Sequence, residues 1–160
     1  MSRSSCAAML VGLLLSSPVV PVVAAAPQGH TAATVSVSEA WVRVPPPAAS
    51  VAAGYVQLHN GGGADRLLSA ASSAFADVQI HAMRMDGDVM RMQALPDGLA
   101  LPEGQTVGLQ PGGYHLMLLK PKRPLSAGQT VRVTLQFARS APRVVDFSVR
   151  DGLAPHGAAK

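Results

Sequence analysis

Apolar and polar residues alternate along most of this chain after its first two dozen positions. The alternation covers 35–44, 53–59, 66–71, 77–85, 89–94, 106–109, 114–119, 130–138 and 144–149. Turn pairs such as Asp86-Gly87 separate these runs, and no helical repeat replaces them, although 70–76 is ambiguous. Short strands at a spacing of about ten residues predict an all-β fold, an antiparallel Greek-key β-sandwich or barrel.

The first residues follow a different pattern. Residues 1–24 combine one base, Arg3, with an apolar run that ends in small residues. This pattern is typical of a cleaved signal peptide and predicts a periplasmic protein, with an uncleaved membrane anchor as the alternative. We expect 25–34 to be a flexible N-terminus, 35–150 a single β-domain, and 151–160 a flexible tail.

Composition narrows the class of protein further. The only cysteine, Cys6, lies in the predicted signal peptide, so the exported chain has no thiol and is not a disulfide scaffold. A hydrophobic core must therefore hold the domain together, and we assign Trp41 and Tyr55 to it. The net charge of +4 comes without a dense basic run, so we expect no nucleic-acid partner.

Methionine is concentrated in one window of the chain. Of seven methionines, the five outside the predicted signal peptide all lie between His81 and Met117. Thioether sulfur selects Cu(I), and imidazole also suits copper. The window therefore predicts a soft-metal site, and the alternative is a core that merely contains many methionines. The residues concerned are His81, Met83, Met85, Met90, Met92, His115 and Met117.

The spacing inside this window predicts a hairpin. Asp86-Gly87 is typical of a two-residue type I′ loop. With that loop, His81 lies opposite Met92 and Met83 lies opposite Met90, all on one face of the hairpin. A three-residue loop would shift this register by one.

Alternation also predicts which side chains face the solvent. If Val78 and Ile80 face the core, His81 and the hairpin methionines face outward. On the later strand, His115 and Met117 share one face and offer a nitrogen and a sulfur side by side.

Taken together, these segments resemble the periplasmic copper chaperones called PCu(A)C. The likeness includes 40–43, 53–55, 65–67, the 81–92 hairpin, 111–118, 124–125, 128 and 134–137. The family motif is His, ten residues, Met, about twenty-one residues, then His-x-Met. Here ten residues separate His81 from Met92 and twenty-two separate Met92 from His115, one more than the pattern, which we place in the 96–111 loop.

The resemblance implies a cupredoxin-like fold and a Cu(I) site formed by His81, Met92, His115 and Met117. It implies a chaperone, not an enzyme, that passes copper to the binuclear copper centre of cytochrome c oxidase. Expected partners are the copper subunit of the oxidase and thioredoxin-like copper chaperones. The motif does not require the other hairpin methionines, which we interpret as secondary or entry ligands.

Four other functions are alternatives to a copper chaperone. A blue-copper electron carrier needs a cysteine ligand, which the exported chain lacks. A copper redox enzyme needs an acid or base beside the ligands, and no carboxylate is in register with them apart from the turn acids Asp86 and Asp88. A non-metal β-sandwich interaction module leaves the methionines unexplained. Copper storage or tolerance would use the same ligands and stays open.

Overall fold

The computed structural model describes residues 34–152, so the predicted signal peptide lies outside the described residues, as does most of both predicted flexible ends. Within that range there are ten strands and no helix. The strands are β1 (Val35–Arg43), β2 (Val51–Asn60), β3 (Asp65–Ala71), β4 (Phe75–Asp86), β5 (Val89–Ala94), β6 (Leu99–Leu101), β7 (Thr106–Leu109), β8 (Tyr114–Pro121), β9 (Thr130–Phe137) and β10 (Arg143–Arg150).

All ten strands belong to one sheet, in the order β5-β4-β8-β7-β2-β1-β10-β9-β3-β6, and β8 also pairs with β2. The first half of β2 pairs with β8 and its second half with β7. Most neighbours are antiparallel, whereas β1 with β10 and β7 with β8 are parallel. The prediction of an all-β fold is confirmed.

Strands from opposite ends of the sheet share one hydrophobic core. Ile80 on β4 and Leu116 on β8 belong to the same buried cluster as Leu67 on β3, Leu101 on β6 and Phe147 on β10. Because β4 and β6 are far apart in the strand order, the sheet must curl around this cluster. One face of every long strand is thereby turned inward, and the other face is left outside the core.

Each of the nine strands predicted from alternation is present, with ends that differ by a few residues. The sequence analysis missed β6, Leu99–Leu101, because three residues between two Pro- and Gly-containing turns are too few to show alternation. In the ambiguous segment 70–76, β3 ends at Ala71 and β4 begins at Phe75, which is buried in the core.

Trp41 and Tyr55 are both buried, yet they lie outside the core cluster. They face each other across β1 and β2, with ring centroids 4.5 Å apart. Their register places them on the outer face of the sheet, which alternation also gives to His115 on β8. Both are therefore buried as predicted, but in a second layer that covers part of the outer face and not in the main cluster. Burial in this layer raises the pKa of Tyr55.

Candidate metal centre

Two histidines lie side by side on the outer face of the sheet. His81 on β4 is directly opposite His115 on β8, and their ring centroids are 5.8 Å apart. Both face away from the core side of β4, which carries Val78 and Ile80, as alternation predicted. However, His81 is only 8% exposed and His115 only 7%, so the prediction that His81 faces solvent was wrong. The 43–46 segment forms part of a cleft over this face and helps to cover it.

A chain of hydrogen bonds determines which nitrogen of His81 carries the proton. Asp77, Gln79 and His81 alternate along the same face of β4. The Gln79 amide nitrogen donates to the Asp77 carboxylate at 2.8 Å, so its amide oxygen is turned toward His81 Nε2, at 3.0 Å. An amide oxygen only accepts, so His81 Nε2 must donate and Nδ1 keeps a free lone pair. That Nδ1 atom is buried and has no hydrogen-bond partner.

His115 is oriented in the opposite sense. Its Nδ1 lies 3.3 Å from the carbonyl oxygen of Gly113, which can only accept a hydrogen bond. The proton is therefore on Nδ1, and Nε2 carries the lone pair. Histidine ligands of metals usually donate their second ring nitrogen to such a group, so both histidines have the protonation pattern of a metal ligand.

The electrostatics around His81 favour its neutral imidazole. Burial lowers the pKa of His81, and repulsion from a charged His115 lowers it further. A neutral ring keeps its lone pair near neutral pH, and only that form binds a metal. The burial of His81 therefore favours the neutral ring, which can coordinate a metal, over the charged imidazolium, which cannot.

The predicted register of the hairpin was wrong by two residues. His81 is opposite Ala94, and Met92 is opposite Met83 instead of His81. The loop consists of Gly87 and Asp88, and only Gly87 has a positive φ, of 60°. A positive φ confined to the first loop residue, with glycine there, is typical of a type II′ turn, whereas the prediction assumed type I′.

A register change of two residues leaves every side chain on its predicted face. Met92 is therefore diagonal to His81 and still on the same side of the hairpin. Diagonal neighbours in a sheet are about 7–8 Å apart, within reach of a long side chain. The predicted register was wrong, but the predicted face is correct.

Three of the four predicted ligands line one cleft of about 190 Å³: Met92, His115 and Met117. His81 lies beside them as the cross-strand neighbour of His115. Within residues 34–152, no group of three or more His, Cys, Asp or Glu side chains could hold a metal ion. A metal at this place would therefore require the methionine sulfurs as well as the two imidazoles.

Several residues around the cleft were missed from the sequence. Asp77 and Gln79 share the face of His81, so the expectation that only the turn acids are in register with the ligands was wrong. Gln79 lies two residues and Asp77 four residues before His81, so alternation along the strand could have revealed both. Arg43 and Pro45, which line the cleft, could not be found in this way because they come from a distant part of the chain.

Fold and site together define a small all-β domain with two imidazoles and two thioethers grouped on its outer face. Residues 35–149 match the family described as "Putative lipoprotein LpqE-like". "Putative lipoprotein Lxx21020" of Leifsonia xyli subsp. xyli (strain CTCB07) is 37% identical over 145 residues, which are 91% of this chain and 86% of that protein. The chain belongs to the LpqE-like family.

Solved structures support the predicted resemblance. The apo PCuAC domain from PmoF1 is 26% identical, with a TM-score of 0.63 over 74% of this chain and 94% of that one. The solution structure of CuI-DR1885 from Deinococcus radiodurans is 30% identical, with a TM-score of 0.58 over 69% of this chain and 74% of that one. The likeness to PCu(A)C domains and their cupredoxin-like β fold is confirmed.

Within residues 34–152, no helix is long and apolar enough to cross a membrane.

Proposed function

We propose that this protein is a Cu(I) chaperone with His81 Nδ1, His115 Nε2 and the sulfurs of Met92 and Met117 as ligands. The observation that carries the proposal is the buried, unpartnered Nδ1 of His81 beside a cleft lined by the other three residues. Neutral imidazole and thioether are the donors expected for Cu(I). The related DR1885 protein was solved with Cu(I), which supports the same ion here.

The donor set suits an exported carrier. We propose export through the predicted signal peptide into the periplasm, and the lipoprotein name of the family is consistent with export. In an oxidising compartment, thioethers do not form disulfides as thiolates do, although they can be oxidised to sulfoxides. A site without thiolate also holds Cu(I) less tightly, so the ion can be passed on.

We propose that the copper acceptor is the binuclear copper centre of cytochrome c oxidase, with a thioredoxin-like copper chaperone as a further partner. Transfer would begin at Met92, which is 51% exposed while both histidines are buried. An incoming ligand of the acceptor replaces Met92 first, and the buried ligands release the ion afterwards. No electron is transferred, because the copper enters and leaves as Cu(I).

A transfer experiment tests this function. The Cu(I)-loaded protein is mixed anaerobically with a purified oxidase copper domain, and the copper content of both proteins is followed over time. We expect the transfer rate to rise with acceptor concentration, because the acceptor takes part in the ligand exchange. A rate equal to spontaneous release, at every acceptor concentration, would refute the mechanism. Retention of copper in the presence of excess acceptor would instead favour the storage or tolerance function.

Gln79 is expected to control copper affinity without binding copper itself. In a Gln79→Leu variant, His81 Nε2 loses its acceptor, and the ring is no longer fixed in the tautomer that leaves Nδ1 free. Loss of such an outer partner lowers metal affinity by about 10–100-fold. Competition with a colorimetric Cu(I) chelator measures the change. Gln93→Leu, on the exposed strand β5, is the matched control and should leave the affinity unchanged.

A further inference from the structure

The tip of the β4–β5 hairpin extends past the rest of the sheet. The pairing of β4 with β8 ends at Ala82, whereas its pairing with β5 continues to Asp86. Residues 83–92, which we call the hairpin arm, therefore lie at the end of the sheet, and both faces of the arm are largely free of the core. Sheet pairing alone does not explain which residues occupy these faces.

The two faces of the hairpin arm differ sharply in chemistry. One face carries the cross-strand pairs Met83 with Met92 and Met85 with Met90. The other face carries Val89 and three charged residues. Arg84 lies opposite Arg91, and Asp86 forms an ion pair of 2.7 Å with Arg91. The arm is thus a two-sided ribbon with four thioethers on one side.

These methionines do not fill a core. Met85 is 61% exposed, Met90 is 52% exposed and Met92 is 51% exposed. Among residues 34–152, six large hydrophobic side chains are exposed, and four of them belong to the arm: Met85, Val89, Met90 and Met92. A concentration of exposed apolar side chains in one part of a protein surface commonly marks an interaction site.

We propose that the methionine face of the hairpin arm is a second, weaker Cu(I) site formed by Met85 and Met90 with help from Met83. This inference rests on the proposed function for the identity of the metal. Directly opposed residues have Cβ atoms about 4.5–5.5 Å apart, so the two sulfurs of a pair reach a single ion. Soft thioethers exposed in a ladder offer Cu(I) the ligands it prefers.

Met92 connects the two places. Its side chain lines the cleft of the first site, and its strand position pairs it with Met83 at the base of the arm. A Cu(I) ion held at the tip can exchange ligands stepwise, gaining a lone pair from Met92 before it leaves Met85. The arm therefore collects Cu(I) at its exposed end and passes it toward the buried histidines, again without a change in oxidation state.

The experiment uses NMR of the purified protein with ¹³C-labelled methionine methyl groups, titrated with Cu(I) under anaerobic, reducing conditions. The first equivalent should shift the methyl signals of Met92 and Met117, and the second should shift those of Met85 and Met90. In Met85→Leu/Met90→Leu, the first step should be retained and the second should be lost. Both side chains are exposed and leucine is similar in size, so the variant should fold.

A control variant tests whether any exposed thioether gives the same result. Leu68→Met/Val144→Met adds two exposed methionines on β3 and β10, far from the arm in the strand order. It should bind no more Cu(I) than the wild type. The inference is overturned if the second equivalent leaves the Met85 and Met90 signals unmoved, or if the leucine variant keeps that step. The second result would mean that the second ion binds elsewhere.

The two proposals fail in different ways. Loss of the first step alone, with Met85 and Met90 still responding, would refute the four-ligand site and leave the arm as a metal site. Loss of the second step alone would refute the arm and leave the chaperone site intact.

Discussion

Replacement of His115 by alanine is expected to abolish tight Cu(I) binding while the protein stays folded. His115 lies opposite His81 and lines the cleft with Met92 and Met117, so it lies next to every other member of the proposed ligand set. Removal of a ligand should reduce affinity by more than the roughly 10–100-fold loss that follows removal of an outer partner. The side chain lies outside the hydrophobic core cluster, so the fold should survive.

Chelator competition measures the affinity of the variant, and circular dichroism confirms its strand content. His59→Ala is the matched control, because His59 is also a strand histidine but is exposed and contacts Thr106 instead of the cleft. That control should bind Cu(I) like the wild type. Unchanged binding by His115→Ala would mean that the copper site lies elsewhere, and equal losses in both variants would indicate a general effect of removing histidine.

The faces of the strands could be predicted from the sequence, whereas the register of the hairpin could not. Alternation has a period of two, so it placed His81, Met83 and Met85 on one side whichever two-residue loop was formed. Gly87 has a positive φ in either loop, but the Asp86-Gly87 loop would also require a positive φ at Asp86, which that residue does not have in the structure. Both loops satisfy the local turn preferences, so the sequence around the turn does not decide between them.

The burial of the two histidines required contacts from far along the chain. Part of the cleft wall comes from 43–46, more than thirty residues before His81. No local pattern reports such a contact, and alternation alone therefore placed His81 in solvent. The same limitation hid the position of Trp41 and Tyr55, which are buried as predicted but lie on the outer face.

The hydrogen-bond chain from Asp77 to His81 was only partly predictable. Three polar residues at alternate positions of one strand were visible in the sequence, and they share a face by the rule that was applied to the methionines. The direction of the hydrogen-bond chain depends on the Asp77 carboxylate accepting from Gln79, which the sequence does not reveal. The tautomer of His81 follows from that direction, so it could not be predicted before the structure was known.

Replacement of Leu116 by alanine is expected to have the opposite effect to His115→Ala, although the two residues are adjacent on β8. Leu116 is fully buried in the core and pairs with Gly54 on one side and Ile80 on the other. Truncation of a buried leucine to alanine lowers the free energy of unfolding by about 2–5 kcal/mol, since it leaves a cavity. Denaturant unfolding of the copper-free protein measures this loss.

Val144→Ala is the control for that experiment, because Val144 is 63% exposed on β10 and should change stability by less than about 1 kcal/mol. Below its unfolding transition, Leu116→Ala should still bind Cu(I), since its side chain faces the core and not the cleft. Adjacent residues of one strand would then separate stability from copper binding. If Leu116→Ala lost copper while folded, or if His115→Ala unfolded, the division of β8 into a core face and a metal face would be wrong.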